Sequence, residues 1–388
     1  MVTVSAKYDV KNWSDQWAGI LRKEYQGINS VGVGNGLSGV ALFFLYRYGQ
    51  TGDKEDILFF ERILERVLDK IQSMDERLLT IELTEFLHVL DVSDAMIPGN
   101  YDTAALKQDL LPIIRECGEA LLDRGQYDPY TGGFFQAYYM LQSGRDRAFA
   151  AQCIGLLMEK TEFVSPRTGY FHSQFDKERI CLSVTHGLSF YITYLCAAYA
   201  QGIRKKDCLV LLDAYSNYLH EQKLPFEKYS CFFTDYENER SGSRLNLCYG
   251  DAGILLALLK ASRILKNRSL EQSVLDMLER TSERMDQSST GVRDNSLLYG
   301  STGLSLYYQK IFQLSGDPKY ARASVKWKEI SMNDTGRMMA PYYTDSSLSM
   351  SRIGRDLSFQ EGLTGALTLY ECSNRAQMDH LQFFFYLK

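Results

Sequence analysis

The chain has 388 residues, with 43 Lys and Arg against 48 Asp and Glu, so its net charge is −5. That mild balance excludes the basic footprint of a nucleic-acid binder and any broad attraction to an anionic membrane. Hydrophobic residues make up 45% of the chain, which excludes global disorder, and no apolar run of about 18 residues exists to span a bilayer.

The segment from Met1 to Lys11 lacks the apolar stretch of a signal peptide. None of the eight cysteines forms a C-x-x-C pair, and most sit in apolar surroundings such as Tyr194-Leu195-Cys196-Ala197. Reduced, core-filling cysteines in a cytoplasmic protein are expected. Only 7 prolines stand against 29 glycines, which suits helices joined by glycine turns.

In chain order, the first such turn is Gly36-Leu37-Ser38-Gly39. Behind it, Val40, Ala41, Phe44, Leu45 and Tyr48 keep helical spacing. Thr51-Gly52-Asp53 stops that helix and starts another, whose apolar stripe is Phe60, Ile63, Leu64, Val67, Leu68 and Ile71. The glycine turn then recurs, with first glycines at 36, 132, 187, 250, 300 and 362. The step from 36 to 132 is about twice the others, which places a degenerate copy without glycine near Thr80 to Leu90. Behind Gly253, Ile254 to Leu259 is apolar on every side, as in a fully buried helix. Behind Gly303, Leu304, Tyr307, Tyr308, Ile311 and Phe312 repeat the helical pattern, and Ser315-Gly316-Asp317-Pro318 ends it. The polar stretch from Pro341 to Asp356 reads as an irregular loop, with a lid as the other reading.

Seven repeats of a buried helix followed by an amphipathic one predict an all-α fold. They can close into a ring, a double α/α barrel (toroid) of seven helix pairs, (α/α)7, with an open solenoid as the rival. Length alone suggests two or more domains, but the repeat implies one domain over residues 1–388. In the ring all glycine turns meet at one mouth. Glycine is expected there for close approach and, at some turns, for positive φ.

Certain turns carry reactive side chains. Asp128 lies four residues before Gly132, and His186 directly before Gly187. Arg244 lies four before Cys248, and Cys248-Tyr249 directly before Gly250. A closed ring would bring acid, base, cation and thiol together from three repeats. Each also has a plain structural reading: a turn for Asp128, a core histidine or helix cap for His186, a solvated arginine for Arg244, and packing for Cys248 and Tyr249.

The segment Arg244-Leu245-Asn246-Leu247-Cys248-Tyr249-Gly250-Asp251-Ala252-Gly253 resembles the signature of the lanthionine synthetase C-like family, the lanthipeptide cyclases, and the likeness runs from Gly34 to Gly365. The resemblance implies a thioether-forming enzyme that adds a cysteine thiol of a dehydrated precursor peptide to dehydroalanine or dehydrobutyrine. It implies a zinc ion that binds the thiol and lowers its pKa. By the same resemblance Cys248 matches the first zinc ligand and His186 the proton donor. Asp128 matches the acid paired with that histidine, Arg244 an arginine near the enolate, and Tyr249 a tyrosine beside the ligand.

The next turn, Leu297-Leu298-Tyr299-Gly300, departs from the family. Leu298 stands where a cysteine ligand belongs and Tyr299 where a histidine belongs. Leucine has no donor atom, and a phenol stays protonated to about pH 10. Ser296, Ser301, Asp294 and Asp251 are poor substitutes. One cysteine cannot make a three-ligand catalytic site. The expected cofactor set is therefore none, with zinc implied only by the family.

Three functions follow from the sequence. One is a cyclase-like protein working without zinc, with His186, Asp128, Arg244 and Tyr249 catalytic and Cys248 and Tyr299 contacting substrate. Another is an inactive peptide-binding scaffold in a maturation complex with a lanthipeptide dehydratase. A third uses Cys248 as a nucleophile with His186 as its base. The implied partners are a precursor peptide and a dehydratase, with no nucleic acid and no membrane insertion.

Overall fold

The structure is a computed structural model, and it describes residues 8–72, 76–99, 101–174, 179–225, 230–232, 244–344, 354–372, 374–384 and 386–387. Seven helix pairs run along these residues. They are α2 (Leu37–Thr51) with α3 (Lys54–Ile71), α4 (Glu76–Met96) with α5 (Thr103–Asp123), and α6 (Gly133–Ser143) with α7 (Arg147–Lys160). Next come α8 (Leu188–Ala200) with α9 (Lys205–Glu221) and α10 (Asp251–Ile264) with α11 (Arg268–Glu283). The last two are α13 (Ser301–Ser315) with α14 (Pro318–Thr344) and α15 (Leu363–Glu371) with α16 (Arg375–Phe383). Helix α1 (Val10–Glu24) precedes them, and α12 (Gln287–Thr290) is a single turn. Among the described residues no helix is long and apolar enough to cross a membrane.

The division of labour within a pair follows composition. In α2 every residue from Leu37 to Arg47 is buried, and in α8 every residue from Leu188 to Cys196. Helix α3 buries only one stripe, Asp56, Phe59, Phe60, Ile63 and Val67. A helix apolar all round must lie among other elements, whereas a striped one can face water.

The chain falls into two compact units. One comprises residues 1–111, 293–384 and 388, and the other residues 112–292 and 385–387; the boundary lies inside α5, at Pro112. In the first unit α2 packs on α3, α4 and α15, and α15 packs on α1 and α14. Trp17 Nε1 donates to Thr364 Oγ1 at 3.1 Å, Tyr46 OH to Gln377 O at 2.7 Å and Phe359 N to Gly34 O at 2.8 Å. The first and last pairs are thus joined, whereas an open solenoid keeps them apart.

In the second unit α8 packs on α6, α9 and α10, and α10 on α11. A short antiparallel hairpin, β1 (Glu162–Ser165) and β2 (Thr168–Tyr170), lies against α9 and was not foreseen in the sequence. Its turn residue Arg167 grips Asp213 of α9 with two bonds, at 2.8 and 2.9 Å.

The polar stretch after Pro341 is also corrected in part. Helix α14 continues through Pro341 to Thr344, and residues 345–353 lie outside the described residues. The same is true of the polar segment from Asn238 to Ser243 that precedes Arg244.

The glycine turns need no positive φ, contrary to expectation. The first glycine of each turn is a helix N-cap with φ between −147° at Gly187 and −110° at Gly300. What demands glycine is close backbone approach. A Cβ on Gly250 would lie 2.3 Å from Arg244 O, and one on Gly365 would lie 1.8 Å from Phe359 O and 2.5 Å from the Leu297 side chain. Positive φ appears instead at the far ends of these helices, as at Gly52 and Gly316 (69° and 73°). Gly365→Ala is therefore expected to cost about 2–3 kcal/mol of stability, read by urea unfolding, because backbone must move to admit the methyl. An unchanged midpoint would contradict this contact.

The degenerate second repeat has been put to structural use. Glu82 of α4 accepts from Ser30 Oγ and Val31 N, both at 2.8 Å, and Glu85 accepts from Val33 N at 2.6 Å. These bonds hold the glycine turn of the first repeat. Burial pushes the Glu85 carboxyl up to about 7 from 4.5. The folded chain thus keeps a proton on Glu85 that the unfolded chain has released. Stability is expected to fall as pH rises from about 4.5 to about 7, by about 1.4 kcal/mol per pH unit from this group. Glu85→Gln should remove that share in pH-dependent unfolding curves. A smaller slope will persist from Glu371 and Asp56, which burial raises in the same direction.

Candidate active site

In the second unit the turn before α6 folds around one carboxylate. Asp128 Oδ1 accepts from Tyr130 N at 3.0 Å, Thr131 N at 2.7 Å and Thr131 Oγ1 at 2.9 Å. The other oxygen, Oδ2, sits 2.9 Å from His186 Nδ1, from the turn before α8. Both side chains are only 8% exposed. Local bonds that spend Oδ1 fix the carboxylate, so Oδ2 presents one direction to the imidazole. A carboxylate at this distance suits the tautomer that carries its proton on Nδ1.

The backbone of His186 is held as well, since its N–H donates to Ser183 Oγ at 3.1 Å. Two aromatic rings lie against its imidazole. Tyr249 lies nearly parallel to it with centroids 5.4 Å apart and 17° between planes, and Tyr130 meets it edge-on at 5.8 Å.

Cys248 is buried on the turn before α10. Its Sγ lies 3.0 Å from Thr185 Oγ1, the residue directly before His186. Asn246 Oδ1 accepts the Tyr249 N–H at 3.0 Å and so shapes the same turn. The remaining described cysteines carry no disulfide. Burial pushes the Cys153 and Cys196 thiols up to about 12, which leaves them unreactive near neutral pH.

Four of the residues singled out from sequence, Asp128, His186, Cys248 and Tyr249, thus stand together. Arg244 is on the same turn as Cys248, but its side chain is exposed and runs along Gly291. Leu298 and Tyr299 fall in the other unit. Leu298 is 7% exposed, and its N–H donates to Gln360 O at 3.0 Å. Tyr299 lines a cleft of about 530 Å³ with Arg293, Asp294, Asp334, Arg337 and Arg355. Sequence reading missed Thr185, Ser183 and Asn246. The signal available was their position within three residues of a reactive side chain, in turns otherwise made of apolar residues and glycine.

A catalytic zinc ion takes three protein ligands. Among the described residues no group of three His, Cys, Asp or Glu side chains could hold a metal. Asp294 Oδ1 is bound to Ser296 N at 2.9 Å, and the Asp251 carboxylate is fully buried and ion-paired.

The family model for lanthionine synthetase C-like protein matches residues 27–387. Among solved structures, nisin cyclase matches with a TM-score of 0.72 at 18% identity, over 97% of this chain and 98% of that chain. No curated protein sequence matches. The structural likeness shows the fold class expected from the repeats, an all-α toroid of helix pairs.

Proposed function

The chain belongs to the lanthionine synthetase C-like family, and on that premise we propose that it is a lanthipeptide cyclase-like protein that works without the family's zinc. Its substrate is a dehydrated precursor peptide, and the product is a lanthionine-type thioether. The observation that carries the reading is the buried Asp128–His186 pair, 2.9 Å apart, whose histidine follows the Thr185 that touches Cys248. A scaffold that only holds peptide has no need of a buried acid–base pair, which is why catalysis is preferred over the inactive alternative suggested by Leu298 and Tyr299.

The chemistry balances without a cofactor. The substrate thiol gives its proton to Nε2 of neutral His186, while Asp128 steadies the imidazolium through Nδ1. The sulfur forms a C–S bond at the β-carbon of the dehydroamino acid. The C=C electron pair moves to the α-carbon and its carbonyl oxygen, giving an enolate. His186 then returns the proton to the α-carbon. One S–H bond and one π bond are replaced by one C–S and one C–H bond. Arg244 supplies positive charge for the enolate oxygen, and Tyr249 fixes the plane of His186. Cys248 and Tyr299 contact the peptide. A dehydratase must supply the dehydroamino acid; a cytoplasmic setting and one domain over residues 1–388 are part of the same proposal.

Mixing the purified protein with a dehydrated, cysteine-containing peptide and counting free thiols over time tests the reading. Thiols are expected to disappear faster than in buffer at the same pH. A time course that overlays the buffer control would eliminate the enzyme and leave the scaffold.

A further inference from the structure

The loop from Arg244 to Gly250 carries the thiol and belongs to no regular helix, so its position is set by its neighbours. Leu245 N donates to Thr290 O at 2.8 Å, and Asp251 N returns to Arg244 O at 3.1 Å. The carbonyl next to that of Thr290 is fixed from elsewhere: Arg284 Nε donates to Ser289 O at 2.7 Å. The other arm of the same guanidinium, Nη1, reaches Asp251 Oδ2 at 2.7 Å. The Asp251 carboxylate also accepts from Cys231 N at 2.9 Å and Phe232 N at 3.0 Å.

Neither partner keeps water. The side chain of Asp251 is 0% exposed and that of Arg284 is 4% exposed. A carboxylate removed from water is tolerated only where charge and hydrogen bonds replace its hydration shell. Here the replacements come from three separate segments: residues 231–232, Arg284 at the end of α11, and the first turn of α10, whose dipole favours an anion. Sliding any segment would strip a donor from a buried charge. The arrangement is therefore stiff, and it ends at both edges of the thiol loop.

We infer that Asp251 and Arg284 are positioning residues for Cys248, clamping loop 244–250 so that the thiol is presented in one orientation. The inference rests on the proposed function only in taking Cys248 to face the substrate. It assigns Asp251 of the Cys-Tyr-Gly-Asp signature a role in holding the loop and none in binding metal.

Alkylation by iodoacetamide, followed cysteine by cysteine in the full chain by mass spectrometry, tests it. Asp251→Asn is expected to speed alkylation of Cys248 about tenfold by raising the open population of the loop, while Cys153, equally buried in the same unit, keeps its rate. Arg284→Lys keeps the buried charge pair but loses the arm to Ser289, and should give a smaller rise at Cys248 alone. It is the deciding variant if Asp251→Asn does not fold. A Cys248 rate equal to wild type in the folded variants overturns the inference. So does a parallel rise at Cys153, which would mean general loosening. Because alkylation needs no cyclase turnover, a failed thiol-consumption assay leaves this test intact.

Discussion

His186→Ala is expected to abolish the acceleration of thioether formation, with a loss of about 10²–10⁴-fold, the usual contribution of a positioned acid–base group. The imidazole is the proposed carrier of the proton from the thiol to carbon. Asp128→Asn should give an intermediate loss. Its amide can keep the bonds from Tyr130 and Thr131 at one end, but it no longer offers a negative charge to steady the imidazolium. His186→Ala strands the buried Asp128 carboxylate, so a lower unfolding midpoint is expected and rates are compared only on variants shown to be folded. Initial rates of thiol consumption measured on the folded variants check the point. A His186→Ala variant that retained wild-type rates would remove the acid–base mechanism altogether.

The second large effect concerns metal. The double variant Leu298→Cys with Tyr299→His places a thiol and an imidazole in the turn before α13, the two residue types that the family resemblance implies there. It is expected to acquire one zinc ion per chain, while the wild-type chain does not retain zinc through purification. Elemental analysis against protein concentration reads the result. A double variant that stays metal-free would contradict the expectation. A cost in stability is expected, since Leu298 is 7% exposed and its replacement leaves a small cavity.

Much of this fold was legible in the repeat. The Gly-x-x-Gly turns at residues 36, 250, 300 and 362 mark the starts of α2, α10, α13 and α15. Gly52 and Gly316 end helices where the stop signals put them. The reason for the turn glycines was misread, because the carbonyl that excludes a side chain sits six residues upstream and only the folded loop brings it close. The hairpin at β1 and β2 was missed because four- and three-residue strands are too short to show periodicity. In the site, Asp128, His186 and Cys248 could be picked out one at a time from their places before turn glycines. The Asp128–His186 pairing, across 58 residues, came only through the family resemblance, and the Thr185–Cys248 contact, across 63, was not foreseen. That the exposed Arg244 side chain runs along Gly291 could not be read from its place four residues before Cys248. Asp251 was legible only as a weak candidate ligand. Its actual partners, Arg284 and the backbone of residues 231–232, come from segments that no local pattern ties to it.

Thiol consumption by wild-type protein, assayed with and without prior treatment by a strong zinc chelator, puts acid–base addition and metal-dependent addition in direct opposition. Acceleration over buffer that survives the chelator undiminished is the predicted result. Acceleration that vanishes on chelation and returns with added zinc would contradict it.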